Sequence, residues 1–131
     1  MKMKKYLVLV AAALVLMSAG KKDSDGVITK EDGMTVVNTT TICKSIEGYA
    51  GPVPLKIYIK KNKVEKIELL KSAETPKNVA KVKKAILNAW DGLTVKEAAK
   101  KEVDGVTGAT FTSEALIKNV QQGLEYYQKN K

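Results

Sequence analysis

The sequence of 131 residues has no histidine and no arginine, a single cysteine, and only 5% aromatic residues. Each absence excludes chemistry. Without histidine there is no Ser-His-Asp triad, no imidazole base and no His-ligated zinc. With Cys43 alone there is no internal disulfide, no thiolate cluster and no haem attached through C-x-x-C-H. Any electron transfer would need an organic cofactor. All 23 basic residues are lysine. Nucleic-acid readers rely on the bidentate arginine fork and on stacking aromatics, so no nucleic-acid partner is expected. Lysine alone describes a solvated basic surface that meets anionic partners or membranes.

Hydrophobic residues make up 44% of the chain and charged residues 28%, which fits one soluble domain with a modest core. Residues 1–20 are expected to act in export. Lys2, Lys4 and Lys5 precede an apolar run from Tyr6 to Met17, and Ser18, Ala19 and Gly20 are small. The run is short for a membrane span, so it reads as a cleaved signal peptide or, left uncut, as an N-terminal anchor. A periplasmic or cell-surface location follows from either reading. Gly20 stands where a lipoprotein signal would carry its lipid-bearing cysteine. Residues 21–32 are polar and read as a linker, leaving residues 33–131 as the domain.

Within the domain, the Val-, Thr- and Ile-rich stretch from Met34 to Cys43 suits a strand. Gly48, Tyr49, Gly51, Pro52 and Pro54 mark turns. Leu55, Ile57 and Ile59 alternate with polar neighbours, a strand with one dry face. Lys61-Asn62-Lys63 reads as a hairpin turn into a third strand, Val64 to Leu70, whose mixed alternation implies a bulge or burial on both faces. Val79, Val82, Ile86 and Trp90 follow at helical spacing, ended by Asp91-Gly92. Thr94 and Glu97 form a capping box for a short helix, and Leu116, Val120, Leu124 and Tyr127 mark a C-terminal amphipathic helix. Strands followed by helices predict an α+β domain, a small antiparallel sheet packed by helices. Leu55, Ile57 and Ile59 should lie under the helices at Val82–Ile86 and Leu116–Val120.

The informative stretch is Asp104-Gly105-Val106-Thr107-Gly108-Ala109-Thr110-Phe111-Thr112-Ser113. Its glycines allow sharp turns and close approach, and apart from Phe111 the residues from Thr107 onward are small or hydroxylated. A helix follows, and helix N-termini favour phosphate. Local physics also allows a plainer reading, in which Asp104-Gly105 is a turn and Thr110 or Thr112 an N-cap. No G-x-x-x-x-G-K-[ST] loop is present, which argues against nucleotide hydrolysis.

Asp104, Thr107, Gly108, Ala109 and Thr110, with Thr112 and Ser113 after them, resemble the signature of the FMN-binding domain family: Asp, two residues, Ser or Thr, Gly, Ala, Thr, then commonly a Ser/Thr pair. That family includes subunits of the sodium-pumping NADH:quinone oxidoreductase and of Rnf complexes, and small exported flavoproteins. Gly48-Tyr49-Ala50-Gly51 resembles the family's Gly-Tyr-x-Gly element, and Glu74-Thr75-Pro76 its Glu-Thr-Pro element. Lys77 departs from the glycine usual in the larger subunits.

The resemblance implies the FMN-binding type of α+β fold. It also implies FMN joined by a phosphoester to Thr110, attached by a separate flavin transferase that takes it from FAD. Tyr49, Glu74, Thr75, Asp104, Thr107, Gly108, Ala109, Thr112 and Ser113 would complete the cofactor site, and redox proteins would be the partners. A threonine hydroxyl is a weak nucleophile without a base, which agrees with the need for a helper enzyme. Asp104 would orient the loop or be read by the transferase. Several alternatives stay open at this level. Tyr49, Trp90 and Phe111 either pack on the isoalloxazine or are ordinary core and surface aromatics. Glu74 either meets the flavin or ends a strand. Cys43 is either a buried hydrophobe or a redox thiol. The chain as a whole is expected to be an electron carrier rather than a stand-alone enzyme. The other readings are a flavin-dependent reductase of a small acceptor and a non-redox secreted basic binding module.

Overall fold

The computed structural model describes residues 26–131, so the export segment lies outside the described residues. Four strands form one antiparallel meander in the order β1 (Ile28–Glu31), β2 (Met34–Asn38), β3 (Leu55–Lys60) and β4 (Lys63–Leu69). Three helices follow: α1 (Pro76–Ile86), α2 (Val95–Lys100) and α3 (Thr110–Asn130). The α+β class read from the order of elements is the class observed. None of the helices is long and apolar enough, over the described residues, to cross a membrane.

Both tight hairpins turn through left-handed backbone. Asp32 and Gly33 have φ of 51° and 78° and join β1 to β2; Lys61 and Asn62 have φ of 52° and 64° and join β3 to β4. Positive φ at both central residues matches the right-handed twist of the flanking strands. The bulge anticipated in the third strand is present. Tyr58 pairs with Lys66 and Ile59 with Val64, so Glu65 is the extra residue.

The core lies between one sheet face and the helices. Leu55, Ile57 and Ile59 are buried against Val82, Ile86, Leu116 and Val120, as the matched periodicities required. Two small features bring α3 close to the sheet. A Cβ on Gly123 would sit 2.8 Å from the Ile57 side chain and 3.0 Å from that of Thr39, so an alanine there would force these side chains to shift. Thr39 donates to Asn119 Oδ1 at 2.6 Å and accepts from the Leu55 N–H at 3.0 Å, which pins the helix to the end of β2. The outer sheet face is roofed by Tyr58. Its hydroxyl donates to Glu68 at 3.1 Å, and Lys66 Nζ lies 4.6 Å from its ring centroid.

Two boundaries differ from expectation. The linker assigned to residues 21–32 contains β1, whose four residues pair with β2, and Val27 is buried in the core. The polar face of this short edge strand disguises it, although Asp32-Gly33 is a hairpin signal. The strand expected from Met34 to Cys43 ends at Asn38. There the Asn38 side chain accepts from the Thr40 N–H at 2.9 Å, and the chain turns with Cys43 N–H bonded to Thr39 O at 2.9 Å. Cys43 is buried, and burial pushes its thiol up to about 11 against a smaller opposing hydrogen bond with Thr39. It therefore behaves as a small hydrophobe. Trp90 is fully buried in the core, not set at a surface where a ring could stack.

Candidate functional site

The three sequence elements singled out above converge at one end of the molecule. The centre of that convergence is Glu74, which is only 4% exposed. Its Oε1 accepts from the Tyr49 N–H at 2.8 Å and from the Thr112 hydroxyl at 2.5 Å, and its Oε2 accepts from the Ala50 N–H. Burial alone would raise its pKa. The hydrogen bonds from Thr112 and from the backbone of Ala50, Tyr49 and Gly51 outweigh burial and hold it below the usual glutamate range. The turn around this carboxylate is closed by Gly48 N–H to Gly51 O at 2.7 Å. A Cβ on Gly48 would fall 2.4 Å from Glu74 Oε1, so glycine is required at that position. Glu74 is thus a buried staple that joins the 48–51 turn to the first turn of α3.

The start of α3 differs from the capping reading. Its N-cap is Ala109, with no side-chain cap, and Thr110 is already the first helical residue. Thr112 does not cap, because its hydroxyl is committed to Glu74. Ser113 does not cap either. It accepts from the Val106 N–H at 2.9 Å and donates to Thr110 O at 3.0 Å, strapping the 104–108 loop onto the helix. The helical ladder opens with Ser113 N–H to Ala109 O, which leaves the N–H groups of Thr110, Phe111 and Thr112 ahead of it. Gly108, with φ of 85°, turns the chain into the helix.

A cleft of about 290 Å³ opens here, lined by Tyr49, Asn78, Gly108, Ala109, Thr110, Phe111 and Thr112. Tyr49 is 71% exposed and Phe111 61%, the exposed large hydrophobic side chains among the described residues, and both stand on this cleft. Thr110 is exposed beside them. Asp104 and Thr107 lie on the exposed loop ahead of the helix, outside the cleft lining. Thr75 is the N-cap residue of α1, without a side-chain cap bond, and is likewise outside the lining. The structure therefore brings Tyr49, Gly108, Ala109, Thr110 and Thr112 together on the cleft. Glu74 and Ser113 serve behind it, and Asp104, Thr107 and Thr75 stand apart.

Sequence reasoning missed Asn78, which lines the cleft, and Lys81, whose Nζ would lie 2.9 Å from a Cβ on Gly108. Both project from α1. No local pattern marks them, since an exposed Asn or Lys on an amphipathic helix is ordinary. Helix N–H donors and an exposed hydroxyl at one end, with two exposed aromatic rings alongside, suit a ligand that combines a phosphate with a flat ring.

That arrangement defines a small α+β protein with a ligand cleft at a helix N-terminus. The profile of the FMN-binding domain matches residues 48–125, more than half of the sequence, and this chain belongs to the FMN-binding domain family. The match spans the Gly48 turn, Glu74 and the start of α3, which are the segments that build the cleft. Comparison with curated proteins gave no match.

Proposed function

We propose that this protein carries FMN esterified to Thr110 and transfers electrons outside the cytoplasm. The observation that carries the reading is the coincidence at the cleft. The exposed Thr110 hydroxyl stands beside uncapped helix N–H groups, and Tyr49 and Phe111 are held in solvent next to it. An exposed aromatic pair of this size loses hydrophobic stabilisation unless something covers it. The flavin supplies the redox chemistry, one or two electrons at a time. The chain supplies the tether, the donors for the phosphate oxygens and the apolar flanks for the ring.

Attachment is a transfer from FAD. The Thr110 oxygen attacks the phosphorus on the FMN side, the P–O–P anhydride bond breaks, and AMP leaves. The hydroxyl proton passes to a base on the flavin transferase, and nothing is oxidised or reduced. A covalent tether suits an exported protein, because flavin lost outside the cytoplasm is not readily replaced. The lysine-led apolar run at residues 1–20 supports export, with the domain released or held at the membrane, and redox proteins as partners.

The test is intact-mass and peptide-mapping spectrometry of the exported protein from a host with an active flavin transferase. The expected result is a gain of FMN less water on the peptide that contains Thr110, and an N-terminus near residue 20. An unmodified, colourless protein from that host would overturn covalent attachment.

A further inference from the structure

Lys81 comes close to the loop that leads into α3. It projects from the exposed side of α1, one turn beyond Lys77, and its ammonium lies against Gly108, where a Cβ would come within 2.9 Å of Nζ. Gly108 immediately precedes the N-cap of α3, so this cation lies near the positive end of the helix dipole. The first turn of α3 has no acidic residue to offset either charge. Nor does Lys81 join an ion pair among the described residues, where Lys56 with Glu31 is the pair formed. Solvated lysines normally drift away from helix N-termini. One that rests there, next to a glycine whose missing side chain makes the room, suits an anion between the ammonium and the N–H groups.

We propose that Lys81 is the cationic partner of the FMN phosphate, reaching from α1 across Gly108 to the phosphoester on Thr110. The inference rests on the reading that Thr110 carries FMN. It adds a second element to the phosphate site and gives Gly108 a reason beyond its turn: a side chain there would displace the ammonium. A phosphodiester keeps one negative charge at neutral pH, which one ammonium together with the helix terminus neutralises.

The test uses the full chain, produced with and without flavin transferase, as wild type, Lys81→Gln and Lys81→Arg. Intact mass first establishes FMN on the wild type. Thermal midpoints of the apo and flavinylated forms are then compared, together with the phosphorus NMR resonance of the diester. Lys81→Gln should leave the apo midpoint unchanged or slightly raised, because it removes a cation from a helix N-terminus. It should lower the flavinylated midpoint by roughly 2–6 °C, so the sign reverses on loading. The phosphorus resonance should move, Lys81→Arg should restore both readouts, and about 0.5 M salt should shrink the difference. Equal midpoint changes in both forms with an unmoved resonance would overturn the role of Lys81 and leave the flavin on Thr110 untouched. Absence of FMN on the wild type would instead overturn the Thr110 reading, and this inference with it. If Lys81→Gln is not loaded by the transferase, the apo proteins are titrated with free FMN and riboflavin. A loss confined to FMN supports the proposal, and equal FMN binding overturns it.

Discussion

The N-termini of α2 and α3 each carry a threonine, Thr94 and Thr110, and reach opposite solutions. At α2, Thr94 accepts from the Glu97 N–H at 3.1 Å, and Glu97 accepts from the Thr94 N–H at 3.0 Å. The Val95 N–H goes to Asn62 O at 2.9 Å, across to the hairpin tip. The N–H groups of Thr94, Val95 and Glu97 are thus all satisfied within the protein. At α3 the cap is an alanine, the threonines point elsewhere, and the leading N–H groups stay outside the ladder. An uncapped start costs about 1 kcal/mol relative to a capped one. Here the loss is offset by the Glu74–Thr112 staple, by the Ser113 strap, and by Leu116, Val120 and Leu124 in the core.

The sharpest way to break this comparison is Thr110→Val. The side chain makes no cap bond, so the variant should fold as the wild type does while losing covalent FMN completely. Denaturing separation from free flavin and peptide mapping read the outcome. Retention of FMN on the variant would mean that a neighbouring hydroxyl is the acceptor.

Glu74→Gln attacks the support. It replaces a carboxylate that satisfies Tyr49, Ala50 and Thr112 with an amide whose NH2 faces donors. The loss should be about 2–4 kcal/mol in urea unfolding, with faster proteolysis in the 48–51 turn. The same pair of proteins gives a pH test. Because the folded pKa of Glu74 is depressed, its ionised form stabilises the fold fully above the ordinary glutamate pKa. That contribution fades as pH falls through the depressed folded value. The stability gap between wild type and Glu74→Gln should therefore be flat near neutrality and close in acid. A gap that widened in acid would refute the assignment.

A smaller effect should separate the two helix starts directly. Thr94→Ala should cost about 1 kcal/mol, the value of a lost N-cap. Thr110→Ala in the apo protein should change stability by less than about 0.5 kcal/mol, as for a surface position without a cap role. Equal losses would mean that Thr110 caps α3 after all.

Much of this was legible in the chain. The alternation of Leu55, Ile57 and Ile59 with polar neighbours set a dry sheet face, and Lys61-Asn62 set a tight turn. Thr94 and Glu97 set a helix start, and the run from Asp104 to Ser113 marked the site. These signals act over a few residues, through dihedral preference and side-chain periodicity, so they survive without knowledge of the rest of the fold. The edge strand Ile28–Glu31 escaped because its exposed residues look like a linker, and what defines it is pairing with β2. The sequence by itself determined the elements, their order and the family motif. Only the tertiary structure decided that Ala109 rather than a threonine begins α3, that Glu74 is a staple, and that Lys81 reaches Gly108. Those outcomes depend on contacts between segments far apart along the chain. A hydroxyl or a carboxylate takes whichever donor or acceptor packing brings within about 3 Å, and no local pattern specifies that partner.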